Sequence, residues 1–179
     1  KVVELSTKNY PVLIPDEAAL GTVLVNLTDD IGFLVGVGSG TISDITKLVS
    51  YKTGRDSIVV GTAPSMDGYA SLNAAFVIDG HKITYPAHYH SCIVADTKIM
   101  KDAPMELMRA GYGDIVGKYT ALSDWRLTKA VNDEHYCEIT ARLVENAVDL
   151  CVANTERYFL REEAAVEHMN EALILTGIS

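Results

Sequence analysis

A chain of 179 residues that is 48% hydrophobic has the length to bury a sizeable core, and its formal net charge of −9 has the wrong sign for an electrostatic nucleic-acid binder. Its 15 basic residues are scattered rather than grouped, and no apolar run approaches the ~20 residues of a transmembrane helix, so neither nucleic acid nor a membrane span is expected. Three cysteines without C-x-x-C spacing (Cys92, Cys137 and Cys151) point to a reduced, cytoplasmic setting and remove the common cysteine-based zinc sites.

The opening residues, KVVELSTKNY, carry no signal-peptide pattern, and no first strand–helix unit is recognisable there. GFLVGV, Gly32–Val37, is the first strand candidate. ISDITKLVSY, Ile42–Tyr51, has helical spacing through Ile42, Ile45, Leu48 and Val49. SIVV, Ser57–Val60, reads as a buried strand, and Asp79-Gly80 between two β-rich arms is a hairpin signal. CIVA, Cys92–Ala95, is a further buried strand. Strand, helix and strand at this spacing predict a parallel α/β sheet. Past Met100 the β-branched runs vanish and Ala, Glu, Leu and Met dominate, so three helical stretches follow, beginning near Pro104, Tyr136 and Arg161. A boundary between Lys101 and Pro104 divides the chain into an α/β unit, 1–102, and an all-helical unit, 103–179. Both ends read as cut, as in a piece of a longer protein.

Three segments carry groups suited to chemistry. In GVGSGTISD, Gly36–Asp44, a strand runs through glycines into a helix, so backbone N–H groups at a helix N-terminus face outward; the loop suits a pyrophosphate, or is an ordinary tight turn. It has neither the glycine spacing of a G-x-G-x-x-G loop nor the lysine of a P-loop. In TAPSMDGYAS, 62–71, Pro64 and Gly68 shape a turn that presents Thr62, Ser65, Asp67 and Ser71. That is a ligand turn at the end of a buried strand, or a Ser/Thr-capped helix start. GYGD, Gly111–Asp114, reads as the opening of a helix, which makes Asp114 either a helix N-terminal carboxylate or a cleft residue just past the boundary. His88 and His90 share a strand face but lack a third ligand and read as surface or interface residues. His135 and His168 read as solvated, and Tyr119 and Trp125 as core.

In this order and spacing, GVGSGTISD, TAPSMDGYAS, PAHYHSCIVAD and AGYGDIVGKYTALSDW resemble the glycerol-1-phosphate dehydrogenases, in particular their bacterial branch. These belong with the iron-type alcohol dehydrogenases, glycerol dehydrogenase and dehydroquinate synthase. The resemblance implies a Rossmann-like N-terminal α/β domain followed by an all-helical, dehydroquinate synthase-like C-terminal domain, both incomplete here. It implies an oxidoreductase of phospholipid metabolism, cytoplasmic and dimeric, that interconverts sn-glycerol 1-phosphate and dihydroxyacetone phosphate. NAD or NADP is the implied cofactor, with one divalent metal, Zn, Ni or Fe. Carried over by motif, Gly38, Ser39, Gly40, Thr41 and Ile42 would hold the cofactor pyrophosphate, and Thr62, Ser65 and Ser71 would contact the rest of the cofactor. Asp67 would bind substrate. Asp114 would be catalytic, binding both metal and substrate. The family's two metal-binding histidines belong to a stretch beyond Ser179. Two rivals stay open: a glycerol dehydrogenase on the same scaffold, and a nucleotide-binding module without catalysis.

Overall fold

The computed structural model describes residues 1–7 and 12–178. It begins with an element the sequence reading did not recognise. Helix α1, Glu17–Asn26, is capped by Asp16, whose carboxylate accepts from the Ala19 N–H at 2.8 Å. Asp16 also bridges to Val77, which ties the helix to the hairpin described below.

Strand β1, Phe33–Gly38, helix α2, Gly40–Thr53, and strand β2, Asp56–Gly61, form the expected parallel unit, with register Phe33↔Asp56 through Gly38↔Gly61. Gly54, in the left-handed region at φ 65°, ends α2 and lets the chain turn into β2. Strands β3, Asn73–Ile78, and β4, His81–Pro86, pair antiparallel across Asp79 and Gly80, both at positive φ (49° and 77°), the backbone that the Asp-Gly pair favours. Strand β5, Cys92–Val94, joins the free side of β2, giving the parallel order β1-β2-β5. Ile45, Leu48 and Val49 of α2 pack with Ala74 and Phe76 of β3. On β1, Phe33, Val35 and Val37 are more than half exposed.

The rest of the chain is helical: α3, Thr97–Met100; α4, Met105–Asn132; α5, Glu138–Ala153; α6, Thr155–Phe159; and α7, Glu163–Ile178. Asn154 interrupts what the sequence suggested was one helix and separates α5 from α6. A second apolar cluster joins Met108, Ile115, Val148, Tyr158, Val166 and Met169 with Ala63 and Met100. The buried Tyr158 hydroxyl donates to the Met108 carbonyl at 3.0 Å, so its one polar atom is satisfied.

Several expectations need correction. GYGD does not open a helix, since α4 starts at Met105 and Asp114 lies well inside it, away from the helix dipole's positive end. Tyr119 is exposed rather than core and donates to Asp149 Oδ1 at 2.5 Å. Trp125 is half-buried against Tyr136 and donates to the His135 carbonyl. His168 is half-buried, not solvated, with Nδ1 unbonded among the described residues.

The histidine pair is a clasp, not a surface feature. His90 is buried between Ser57 Oγ (2.8 Å from Nδ1) and Ser43 Oγ (3.2 Å from Nε2), and His88 meets Ser50 Oγ at 2.8 Å. Ser43 and Ser50 are two turns apart on α2, so the pair pins the segment before β5 onto that helix. Burial, aided by Lys47 and His88, pushes His90 down to about 4. A base with a lowered folded pKa stabilises the fold fully above its unfolded value of 6.5, and that contribution is lost as pH falls toward 4. His90→Asn is therefore expected to show its greatest stability deficit above pH 6.5. The deficit should shrink by up to about 3 kcal/mol by pH 4, since each pKa unit is worth about 1.4 kcal/mol. Urea titrations of parent and variant across that range measure it; a pH-independent deficit would refute the clasp's titration.

Candidate active site at the carboxyl ends of the parallel strands

Ligands of parallel α/β sheets sit beyond the carboxyl ends of the strands, and there β1 and β2 end side by side, with the Thr62 N–H donating to the Gly38 carbonyl at 3.1 Å. Ser39 is the N-cap of α2 and makes no side-chain capping bond, so the helix's first N–H groups lack that partner and suit an anion. Thr41 Oγ1 donates to the Leu13 carbonyl at 3.2 Å, anchoring the glycine loop to the N-terminal segment. A Cβ on Gly38 would stand 2.4 Å from Ile42 Cγ1, and one on Gly40 would stand 3.0 Å from Met66 Cε. Both glycines thus let the loop close on its own helix and on the neighbouring turn. A cleft of about 790 Å³ runs along β1 to Gly38 and Ser39, walled by Leu13, Leu27, Leu34 and Val35.

The TAPSMDGYAS segment is a turn rather than a helix start: its regular structure is a short 3-10 turn, Gly68–Ala70. Tyr69 is buried beneath it, donating to the Ala63 carbonyl at 3.0 Å. Lys47, fully buried on α2, reaches across to the Gly68 and Asn73 carbonyls (2.5 and 2.7 Å) and to Ser71 Oγ (3.2 Å). Ser71 is therefore already engaged by this ammonium. Asp44 lies 3.6 Å from Lys47, and its Oδ2 accepts from the Ala75 N–H. Burial outweighs their mutual attraction on both sides, raising Asp44 to about 6 and lowering Lys47.

Two helices close on this turn through glycines. A Cβ on Gly111 of α4 would fall 1.9 Å from the Pro64 carbonyl oxygen, and one on Gly177 of α7 would fall 2.2 Å from the Asp67 carbonyl oxygen. The approach brings two of the expected site residues together: the Asp67 N–H donates to Asp114 Oδ2 at 2.8 Å. Sequence reasoning missed the third member. Lys118 Nζ bonds Asp67 Oδ2 and stands 3.6 Å from Asp114 Oδ1. Burial alone would lower Lys118, but the two carboxylates more than offset it and hold the ammonium above its ordinary value. Its signal was present as the i, i+4 spacing from Asp114 on one helix face. No group of three or more His, Cys, Asp and Glu side chains that could hold a metal ion converges among the described residues, and Asp114 is a lone carboxylate facing the Asp67 N–H and Lys118. His88 and His90 are taken up by serines and supply no second ligand.

This is the architecture of a parallel α/β sheet with a helical flank, and comparison with known proteins gives its family. The iron-containing alcohol dehydrogenase family profile matches residues 11–104, and the chain belongs to that family. Glycerol-1-phosphate dehydrogenase [NAD(P)+] of Halalkalibacterium halodurans is 34% identical over 93% of this chain and 42% of its own length. The enzymes of the same name from Geobacillus stearothermophilus and Thermococcus kodakarensis are 37% and 36% identical over 93% and 84% of this chain, and 41% and 43% of their own lengths. The chain thus spans less than half the length of these relatives. A probable glycerol dehydrogenase from Sinorhizobium meliloti superposes with TM-score 0.80 at 22% identity, over 92% of this chain and 50% of its own. An iron-containing alcohol dehydrogenase from Thermotoga maritima superposes with TM-score 0.75 at 16% identity, over 92% and 49%. These two likenesses show the fold: Rossmann-like parallel strands followed by helices, as the sequence suggested. No helix among the described residues is long and apolar enough to cross a membrane.

Proposed function

We propose that the complete protein is an NAD(P)-dependent oxidoreductase that interconverts sn-glycerol 1-phosphate and dihydroxyacetone phosphate with one divalent metal, Zn, Ni or Fe. In this reading residues 1–102 form the dinucleotide-binding unit and 103–179 begin the helical metal and substrate unit. Gly38, Ser39, Gly40, Thr41 and Ile42 hold the cofactor pyrophosphate at the start of α2; Thr62, Ser65 and Ser71 line the cofactor's path. Asp67 orients a substrate hydroxyl, and Asp114 takes the metal and the reacting end of the substrate. Asp114 would be one ligand of the divalent ion, which would supply Lewis-acid polarisation of a substrate oxygen, and the loop at the start of α2 would hold NAD(P), which would supply the hydride acceptor. The chain's own residues set the stage: α2 presents N–H groups to an anion, and the turn fixes Asp67. The α4 contact then sets Asp114 beside it. We place this protein in the cytoplasm, as a dimer acting on a small phosphorylated substrate in phospholipid metabolism.

The observation that carries the reading is the Asp67 N–H···Asp114 bond of 2.8 Å, which joins the turn after β2 to α4 beside the glycine-loop helix. The relatives named glycerol-1-phosphate dehydrogenase [NAD(P)+] support the choice of substrate. The test is NAD(P)H oxidation by the complete, metal-loaded protein with dihydroxyacetone phosphate against unphosphorylated dihydroxyacetone. The phosphorylated substrate should be strongly preferred. Preference for the unphosphorylated ketone would move the activity to a glycerol dehydrogenase, and NADH binding indifferent to metal, without turnover, would leave a binding module.

A further inference from the structure

We propose that Lys118 is the specificity residue of this site, the cation that makes it accept a phosphorylated substrate rather than an uncharged one. The inference rests on the reading above, and deepens it by naming the group that counters the substrate's charge. Among the described residues, Lys118 is the one Lys, Arg or His that pairs with either Asp67 or Asp114. Its side chain is 19% exposed, and those of Asp67 and Asp114 are 25% and 32% exposed, so the three charges face one another where attraction is stronger than in bulk water.

Counting charge gives the consequence. Asp67 and Asp114 contribute −2 and Lys118 +1, so the three carry −1 and repel an anion; Lys47, which also acts on Asp67, is balanced by its own partner Asp44. A divalent ion held with Asp114 raises that sum to +1, which attracts a phosphate dianion. Without Lys118 the ion-loaded cluster would be neutral and indifferent to a phosphate. A three-carbon ester keeps its phosphate within a few ångström of its hydroxyls. At an effective dielectric of about 40 to 80, one unit charge at about 6 Å from a dianion then changes its affinity by roughly 10- to 100-fold. Lys118 also fixes Asp67, by bonding its carboxylate while the Asp114 contact holds its backbone N–H.

The test compares the complete protein with Lys118→Met and Lys118→Arg. Two quantities are read: the ratio of kcat/KM for sn-glycerol 1-phosphate to that for glycerol, and the affinity of the Zn²⁺-loaded protein for inorganic phosphate by calorimetry. Lys118→Met should lower the ratio by about 10- to 100-fold, chiefly through KM for the phosphate ester, and weaken phosphate binding by a similar factor. Lys118→Arg, which keeps the charge, should restore most of both. If both substrates lose equally, or phosphate affinity does not move, Lys118 is a structural ion-pair partner and the proposal fails. Where Met unfolds the protein, Lys118→Gln serves with the same expected outcomes. A parent that turns over no glycerol 1-phosphate sinks the dehydrogenase reading instead, and the phosphate titration still decides the role of Lys118.

Discussion

Replacing Lys47 by Met is expected to destabilise the protein by about 3–5 kcal/mol, the usual cost of removing one partner from a buried charge pair. The Lys47 side chain has no solvent exposure, and it alone joins Asp44 on its own helix to the Gly68 and Asn73 carbonyls of the next segment. Met fills much of the volume but leaves Asp44 without its counter-charge and takes the ammonium away from these two carbonyls, which then share a single hydroxyl donor, that of Ser71. The sign of the pH dependence identifies the cause. Asp44 already has its pKa raised to about 6 by burial, and without Lys47 it rises further, so the deficit should be smaller at pH 5 than at pH 8. Asp44→Leu combined with Lys47→Met should recover much of the loss, because an apolar pair replaces an ion pair at little cost. Chemical denaturation of the parent, single and double variants checks this. A single-variant loss below about 1 kcal/mol, equal at both pH values, would show that the pair does not organise the turn.

Gly111→Ala should destabilise, although the same change in an exposed helix interior ordinarily stabilises by about 1 kcal/mol. The new Cβ would fall 1.9 Å from the Pro64 carbonyl oxygen and 2.8 Å from its carbon, and both are backbone atoms with no rotamer to yield. Either α4 lifts off the turn or the turn moves, at a cost near the top of the ~1–3 kcal/mol range for overpacking. For a chain of this size that is a fall in Tm of roughly 6–12 °C. Gly113 and Gly117 lie on the same helix with nothing within 4 Å of the added methyl, so their Ala variants should raise Tm by a few degrees. The opposite signs within one helix separate contact from propensity. In the complete protein, Gly111→Ala should also raise KM, because Asp67 and Asp114 meet through this contact. A Gly111→Ala protein as stable as its Gly113→Ala counterpart would disprove the close approach.

Much of the fold was legible because its signals are local. Alternation and apolar runs located β1, β2 and β5, the Asp-Gly pair located the hairpin, and the loss of β-branched runs after Met100 located the helices. Helix α1 was missed because EAALGTVLVN is apolar nearly all round, which blurs the 3.6-residue period, and its clearest mark is the single cap Asp16. GYGD looked like a helix start because two glycines usually punctuate; here Gly111 sits inside α4 for the sake of Pro64, a tertiary reason no local pattern carries. The site was legible as residue types but not as an assembly. Asp67 and Asp114 were singled out separately, while their contact, the Lys118 bridge and the buried Lys47 arise only once α2 and α4 close on the turn. His90 was misread for the same reason: nothing in H-Y-H tells that two serines from α2 and β2 await its ring.

The most direct test of the site as described is the metal content and turnover of Asp114→Asn beside Asp67→Asn in the complete protein. After dialysis the parent should retain about one divalent ion per chain, as one catalytic centre requires. Asp114→Asn should lose the ion and the turnover together, since a neutral amide is a poor substitute for a carboxylate ligand. Asp67→Asn should keep the ion and show its defect in KM or kcat. An Asp114→Asn protein that retains stoichiometric metal and full turnover would contradict the account.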